Sequence, residues 1–422
     1  MRLYYTILAL SCSCFSVFAQ KPLSVGDTVP DIVFENVLHH SAPTARLSDF
    51  KGKLVILDFW ATWSTSCLHA FPKMDSLQAV FGEEVKILLV NQKNTRDDLS
   101  KVQSFFAKYK ARTGEELRLT TVVNDTLTGK LFPHQLLPHY VWIGRSGRLI
   151  ATTSAGAVTA ANIRDVLDGV PLSFTMKKDQ DTDRPLFSGN DLPTDDLLNY
   201  AVLTKRWFEG LPSGSRTRER GGIVYGRAMA NTALFDIYKA IARGLDSSVT
   251  DKQLVLATDS SGLVPPAGSG RDEWYKENAY TLEVLVPQEE APRLYSKMLE
   301  VLNQYSGYTG RFEKRKMMCW VLVRKNPAIS LQSRGGKTEN RLGNKDRPYL
   351  RNGNISLLVT YLNNLPAMKD LVVNETGFTG NIDLKTEGGF SDLKSIEQNL
   401  LKNGLVLMQE KRLVKVFAVR KK

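Results

Sequence analysis

Cysteine is scarce in this chain. Its 422 residues include four. Cys12 and Cys14 fall in an apolar N-terminal run, so a processed chain would keep only Cys67 and Cys319. Two thiols in stretches that read as separate domains exclude a disulfide-stapled scaffold, and a bridge between them is not expected. Histidine is nearly as scarce, at five, and no pair has a standard metal-ligand spacing. After the N-terminus no segment approaches the ~18 consecutive apolar residues of a membrane-crossing helix. A phosphate-cradling glycine loop is missing, and so is a Ser/His/Asp order for nucleophilic catalysis. Acidic residues are in deficit, 44 against 56 Lys and Arg, which leaves a net charge of +12. The positive charges are scattered and read as a basic solvated surface. Arg216-Thr217-Arg218-Glu219-Arg220 has no interleaved aromatics, so nucleic acid is not expected as a partner. The carboxylate pairs Asp195-Asp196 and Glu289-Glu290 read as helix starts that complement the dipole.

Arg2 precedes the apolar run 3–18, and Val17-Phe18-Ala19 offers small residues where a signal peptidase reads. Residues 1–19 are expected to be a signal peptide cleaved after Ala19, which makes the mature protein extracytoplasmic, in the periplasm. Ala9-Leu10-Ser11-Cys12 only weakly resembles a lipoprotein box, with a short apolar stretch and a misplaced leucine, so a lipid anchor at Cys12 is not expected.

Residues 20–172 read as alternating strands and helices. Strands are expected at 53–59, 85–90 and 117–123, and helices at 67–81 and 97–110. A hairpin of 140–143 with 149–153 turns at Ser146-Gly147, and a last helix covers 160–167. That order predicts a mixed sheet with helices on both faces. Residues 173–200 are charged and aperiodic, as in Lys177-Lys178-Asp179-Gln180-Asp181-Thr182-Asp183, and read as a linker. Two α+β modules follow, 201–330 and 331–422, each with a βαβαβ-like pattern. In the first, Asn231-Thr232 reads as the N-cap of a helix over 233–243; in the second, Asn354 caps a helix through Leu362. The closing strands match, Cys319-Trp320-Val321-Leu322-Val323-Arg324-Lys325 against Val416-Phe417-Ala418-Val419-Arg420-Lys421.

The chemistry concentrates where the strand 53–59 gives way to the helix 67–81. There the sequence reads Asp58-Phe59-Trp60-Ala61-Thr62-Trp63-Ser64-Thr65-Ser66-Cys67. A thiol at a helix N-terminus is favoured as thiolate by the positive end of the dipole. Cys67 carries three readings. It is a small buried residue kept for packing, or a monothiol centre supported by the Ser64 hydroxyl, or, with His69 and His139, a ligand for copper or zinc. His39, His40 and His134 read as surface or capping residues, and Cys319, beside Trp320 in a strand, as core.

Trp-Ala-x-Trp followed by Ser-x-x-Cys resembles the Trp-Cys-x-x-Cys signature of the TlpA/ResA-like branch of thioredoxin-like proteins, over residues 25–170. Pro72, five residues after Cys67, is similar to that branch's helix proline. Leu137-Pro138 before the strand 140–143 resembles its cis-proline loop, and Asp58 its buried carboxylate. The resemblance implies thiol-disulfide oxidoreduction in the cell envelope, with no cofactor. It implies Cys67, Ser64, Asp58 and Pro138 at the catalytic positions and Trp60, Trp63, Leu137 and His139 lining the substrate groove. The family's attacking cysteine is Ser64 here, which cannot form a disulfide. Ala70 also stands where the branch often carries glutamate. The expectation is therefore a degenerate member that binds an envelope protein or peptide thiol/disulfide partner; the alternative is a monothiol redox enzyme, peroxidase-like or forming mixed disulfides, using Cys67 alone.

In the C-terminal half, residues 371–384 (Leu-Val-Val-Asn-Glu-Thr-Gly-Phe-Thr-Gly-Asn-Ile-Asp-Leu) resemble the core of an uncharacterised bacterial envelope domain family. The repeated pattern is also similar to the small N-terminal modules of secretins and TonB-dependent receptors. Both resemblances imply protein contact rather than catalysis. The fold expected for the whole chain is thus an α/β thioredoxin-like domain followed by a duplicated α+β module.

Overall fold

The computed structural model describes residues 21–422 apart from 190, 191, 195, 327, 345, 346 and 387. The expected signal peptide, Cys12, Cys14 and Asp195 lie outside the described residues. The chain divides into two units, one holding residues up to 182 with 209–212, the other 183–208 with 213–422.

The first unit is built on a six-stranded sheet. Its spatial order is Val37–Leu38, Thr120–Asp125, Val85–Gln92, Leu54–Trp60, His139–Ile143, Leu149–Thr153. Val85–Gln92 runs parallel to both neighbours, and the remaining pairings are antiparallel. All seven residues of Leu54–Trp60 are buried, as a central strand covered on both faces requires. Its period-2 alternation divides the core. Leu54, Ile56 and Trp60 join a cluster with Phe71, Met74, Val102 and Ile163 from the helices Thr65–Phe81, Leu99–Thr113 and Ala160–Leu167. Val55, Leu57 and Phe59 join Ile32, Phe34, Phe50 and Phe132 on the opposite face.

The three longer helices all contribute to one cluster, while the short helices Leu47–Phe50 and Thr128–Leu131 give Phe50 and Leu131 to the other, so helices lie on both faces as the sequence pattern expected. The N-terminal lead-in adds Val29, Ile32, Phe34, Val37 and Ala45 to that second cover.

Residues 173–182 contain no helix or strand, yet they lie along the sheet of the first unit. The Lys177 amide donates to Thr152 O at 2.8 Å, and Thr152 Oγ1 donates to Lys177 O at 3.1 Å. The stretch read from sequence as an unstructured linker thus begins as part of the first unit.

The second unit contains two runs with the same order of elements, apart from an extra helix, Arg271–Asn278, in the first. One is Ile223–Ala233, Leu234–Leu245, Leu254–Leu256, Ala279–Leu285, Leu294–Tyr305, Tyr308–Arg324; the other is Tyr349–Asn354, Ile355–Asn364, Leu371–Asn374, Asn381–Lys385, Leu393–Lys402, Leu405–Lys421. Among these elements each run reads strand, helix, strand, strand, helix, strand. The βαβαβ-like pattern lacked the short second strands, which at three and four residues are too brief to show periodicity. In both runs the strand before the first helix breaks register at an asparagine in left-handed backbone, Asn231 at φ +50° and Asn352 at φ +44°. Asn231 is therefore a bulge residue rather than part of an N-cap, and Ala233 holds that position. Asn354 does cap its helix, accepting from the Ser356 amide at 2.9 Å.

The two long strands pair antiparallel from Tyr308↔Lys421 to Arg324↔Leu405. Leu254–Leu256 lies parallel on Leu405–Lys421, and Leu371–Asn374 lies parallel on Tyr308–Arg324. Each run's short strand is hydrogen-bonded to the long strand of the other. The stretches 201–330 and 331–422 are therefore halves of one unit sharing a sheet, where the sequence suggested two successive modules.

Candidate functional site

The site lies at the C-terminal end of the central strand Leu54–Trp60. Alternation along that strand points Asp58 to the same side as Ile56 and Trp60, the side that carries the Thr65–Phe81 helix. Ser64 is the N-cap of that helix in extended backbone, and its side chain caps no amide. Instead Ser64 Oγ lies 2.9 Å from Cys67 Sγ. The sulfur also faces Phe59 O at 3.9 Å, and Cys67 is only 1% exposed. Burial pushes its thiol up to about 12; the Asp58 carboxyl adds to the rise, while the Ser64 hydroxyl opposes it. The dipole that should favour thiolate is thus outweighed by desolvation, and the sulfur is a neutral thiol at physiological pH.

Asp58 is fully enclosed, and neither carboxylate oxygen has a hydrogen-bond partner among the described residues. Burial raises its pKa well above the ordinary carboxylate range, with the Tyr140 hydroxyl pulling the other way.

Leu137-Pro138 is a cis peptide, at the mouth of the His139–Ile143 strand. Leu137 and Pro138 are half-buried, so the loop keeps an accessible surface. Trp63 is 64% exposed and donates from Nε1 to Thr95 O at 3.0 Å, which fixes the ring at the surface. Trp63, Leu137 and Pro138 therefore remain available to a partner.

Trp60 and His139 do not. Trp60 is wholly buried against Phe71, Phe105 and Phe106, with ring centroids 5.1 to 5.8 Å away. Its place on the helix-covered face of a central strand leaves no route to solvent. His139 is 3% exposed and stacks on His134 at 4.4 Å with planes 10° apart. Burial lowers its pKa to about 2, and His134 and Lys177 push the same way. His69 is exposed on the helix. Cys67, His69 and His139 form no metal-holding group; among the described residues none of three or more His, Cys, Asp or Glu occurs. Cys67 and Cys319 are both free thiols, and Cys319 is buried in its strand.

Two supports escaped the sequence reading. Asp97 is 3% exposed and accepts from Thr62 N at 2.8 Å, Thr62 Oγ1 at 2.7 Å and Asn91 Nδ2 at 2.9 Å. Burial works against its charge, but these bonds and Lys101 more than offset it, so it stays ionised and pins the turn that carries Trp63. The second support is Lys177 with Asp179. Their side chains are 5% and 8% exposed and 3.0 Å apart. Lys177 Nζ donates to Leu136 O at 2.6 Å, and Asp179 Oδ2 accepts from the amides of Gln135 and Leu136 at 2.7 and 2.8 Å. The pair clamps the loop before Pro138 from both its carbonyl and amide sides. A lone Lys-x-Asp in a charged stretch carried no periodic signal that could have revealed this.

The strand order, the strand-to-helix position of Ser64 and Cys67, and the cis-proline loop define a thioredoxin fold in the first unit. The Redoxin family model matches residues 24–167. Over 76 residues the chain is 40% identical to the thiol-disulfide oxidoreductase ResA of Geobacillus kaustophilus, covering 18% of this chain and 42% of that protein. Over 97 residues it is 28% identical to the thioredoxin-like protein YneN of Bacillus subtilis, covering 22% of this chain and 55% of that one. The chain thus spans about half the length of these relatives. Among solved structures, a DsbE-type thiol:disulfide interchange protein from Chlorobium tepidum is 23% identical, with 35% of this chain and 94% of that chain covered at a TM-score of 0.28. The first unit thus has a thioredoxin fold and is similar in sequence to TlpA/ResA-like thiol-disulfide oxidoreductases.

Proposed function

We propose that this protein is a degenerate TlpA/ResA-like member that acts by binding a protein or peptide partner at the surface formed by Trp63, Leu137 and Pro138, not by a dithiol cycle. One observation carries the reading: the sulfur of Cys67 is buried and hydrogen-bonded to a serine hydroxyl where the relatives' chemistry would need a second thiol. A disulfide needs two sulfurs, and a mixed disulfide needs a sulfur that solvent and substrate can reach. The clamp of Lys177 and Asp179 supports it, since it holds the loop beside Pro138 in one shape without any redox partner.

The second unit is read as an internal duplication that serves as a docking element. The equal order of elements in the two runs and the matching left-handed asparagines, Asn231 and Asn352, support that. An extracytoplasmic, periplasmic location follows from the expected signal peptide. Among the described residues no helix is long and apolar enough to cross a membrane.

The test is the pH dependence of alkylation at Cys67 in the folded full-length mature protein, with Cys319→Ser as background. The expected result is slow alkylation that accelerates only on unfolding. Fast reaction with an apparent pKa below the ~8.5 of a free thiol would overturn the binding reading and restore the monothiol enzyme.

A further inference from the structure

The long strands Tyr308–Arg324 and Leu405–Lys421 are joined by outer strands only near their ends. Leu371–Asn374 pairs with 319–322, and Leu254–Leu256 pairs with 417–419. Between those contacts, 313–318 opposite 411–416 is a two-stranded ribbon among the described residues. Directly opposed residues share a face. One face carries Lys314 opposite Lys415, Lys316 opposite Leu413 and Met318 opposite Lys411. All six are exposed, Leu413 at 65% and Met318 at 41%.

Most of the charge on this face is not spent internally. Lys415 is tied to Asp246 at 2.6 Å and sits over the Phe312 ring at 4.1 Å. Lys314, Lys316 and Lys411 have no ion pair among the described residues. The other face differs. There Glu313 pairs with Arg315 and Arg420, and Arg412 pairs with Glu375 and Glu410. Arginines are neutralised on one face, and lysines are left open on the other.

We propose that the Lys314/Lys316/Lys411 face docks on an anionic phospholipid surface, with Leu413 and Met318 entering the headgroup layer. Charge complementarity and side-chain chemistry favour that occupant. Lysine gives compact charges on long stems that reach lipid phosphates, without the planar fork suited to paired carboxylates. Exposed aliphatic tips between the cations match a surface that offers both anions and acyl boundary. None of the six positions is aromatic, and the nearest rings on that face, Phe312 and Trp320, are half-buried, with Phe312 covered by Lys415, which disfavours base stacking. The docking does not depend on what the first unit binds.

The test is co-sedimentation of the full-length mature protein with phosphatidylcholine vesicles, with and without phosphatidylglycerol, at low and high salt. The expected result is binding to the anionic vesicles alone, weakened by salt. The triple variant Lys314→Glu/Lys316→Glu/Lys411→Glu should lower it about a hundredfold or more, at roughly 1 kcal/mol per lysine near the surface. Leu413→Ser, which keeps every charge, should lower it severalfold, and it serves as the probe if the triple variant fails to fold. Equal binding to neutral vesicles, no binding to anionic ones at low salt, or undiminished binding by both variants overturns the proposal. Retention by soluble polyglutamate or DNA with none by vesicles overturns it in favour of a different acidic partner.

Discussion

Ser64 Oγ sits 2.9 Å from Cys67 Sγ, one helical turn apart at the start of the Thr65–Phe81 helix. The two side chains already point at each other, so the frame for a Cys-x-x-Cys pair is kept while one sulfur is missing. Ser64→Cys should therefore form an intramolecular disulfide on oxidation, read as a mass loss of two hydrogens. Reduced, the variant should catalyse insulin reduction that the parent does not. A variant that oxidises but leaves insulin intact would place the divergence in the partner surface rather than in the missing thiol.

Asp58→Asn should stabilise the protein, and the gain should grow with pH. The folded carboxyl titrates well above its unfolded value because burial opposes its charge. From the unfolded value near ~3.9 up through the raised folded value, the folded state holds a proton that the unfolded state has lost, so stability falls as pH rises. Asparagine removes that dependence. The difference in denaturation free energy between variant and parent should increase by up to about 1.4 kcal/mol per pH unit across that window. A pH-independent difference would show that Asp58 has a partner that keeps it charged.

His139 gives the opposite sign. Burial, helped by His134 and Lys177, lowers its folded pKa to about 2. Below the unfolded value near ~6.5 the unfolded chain takes a proton that the folded state refuses, so stability drops as pH falls from about 6.5 towards 2. His139→Phe should flatten that acid limb in chemical denaturation at pH 4 to 7, with little change above neutrality. An unchanged acid limb would mean that His139 is not a principal cause of the acid lability.

The clamp of Lys177 and Asp179 predicts a local signature. Removing one member leaves the other buried and uncompensated, which costs about 3–5 kcal/mol for a desolvated pair. Asp179→Ala should also speed hydrogen exchange at the Gln135 and Leu136 amides, which it accepts from at 2.7 and 2.8 Å. The paired replacement Lys177→Met/Asp179→Asn should restore much of the stability. If exchange at those two amides is unchanged in Asp179→Ala, the clamp is not what holds the loop.

Much of the first unit was legible because its elements are long and strongly patterned. The buried run of Leu54–Trp60, the Trp-Ala-x-Trp turn and Leu137-Pro138 are all local features, and the sequence alone determines that Ser64 replaces a thiol. Period and spacing reveal which residues share an element, so the fold class and the site's position in the chain could be read directly. They do not reveal solvent access. Trp60 and Trp63 are three residues apart with the same chemistry, yet Trp60 is enclosed and Trp63 is 64% exposed. Only the packing of Phe71, Phe105 and Phe106 from two helices decides between them. The same holds for Cys67, whose thiol state depends on how completely Asp58 and the core exclude water from it. It holds as well for Lys177 and Asp179, about 40 residues along the chain from the loop they fix. In the second unit the two long strands were legible by their matching ends, but their pairing with each other is a long-range contact. Register across it, and therefore which lysines share an open face, is set by three-dimensional closure and not by anything written locally in the chain.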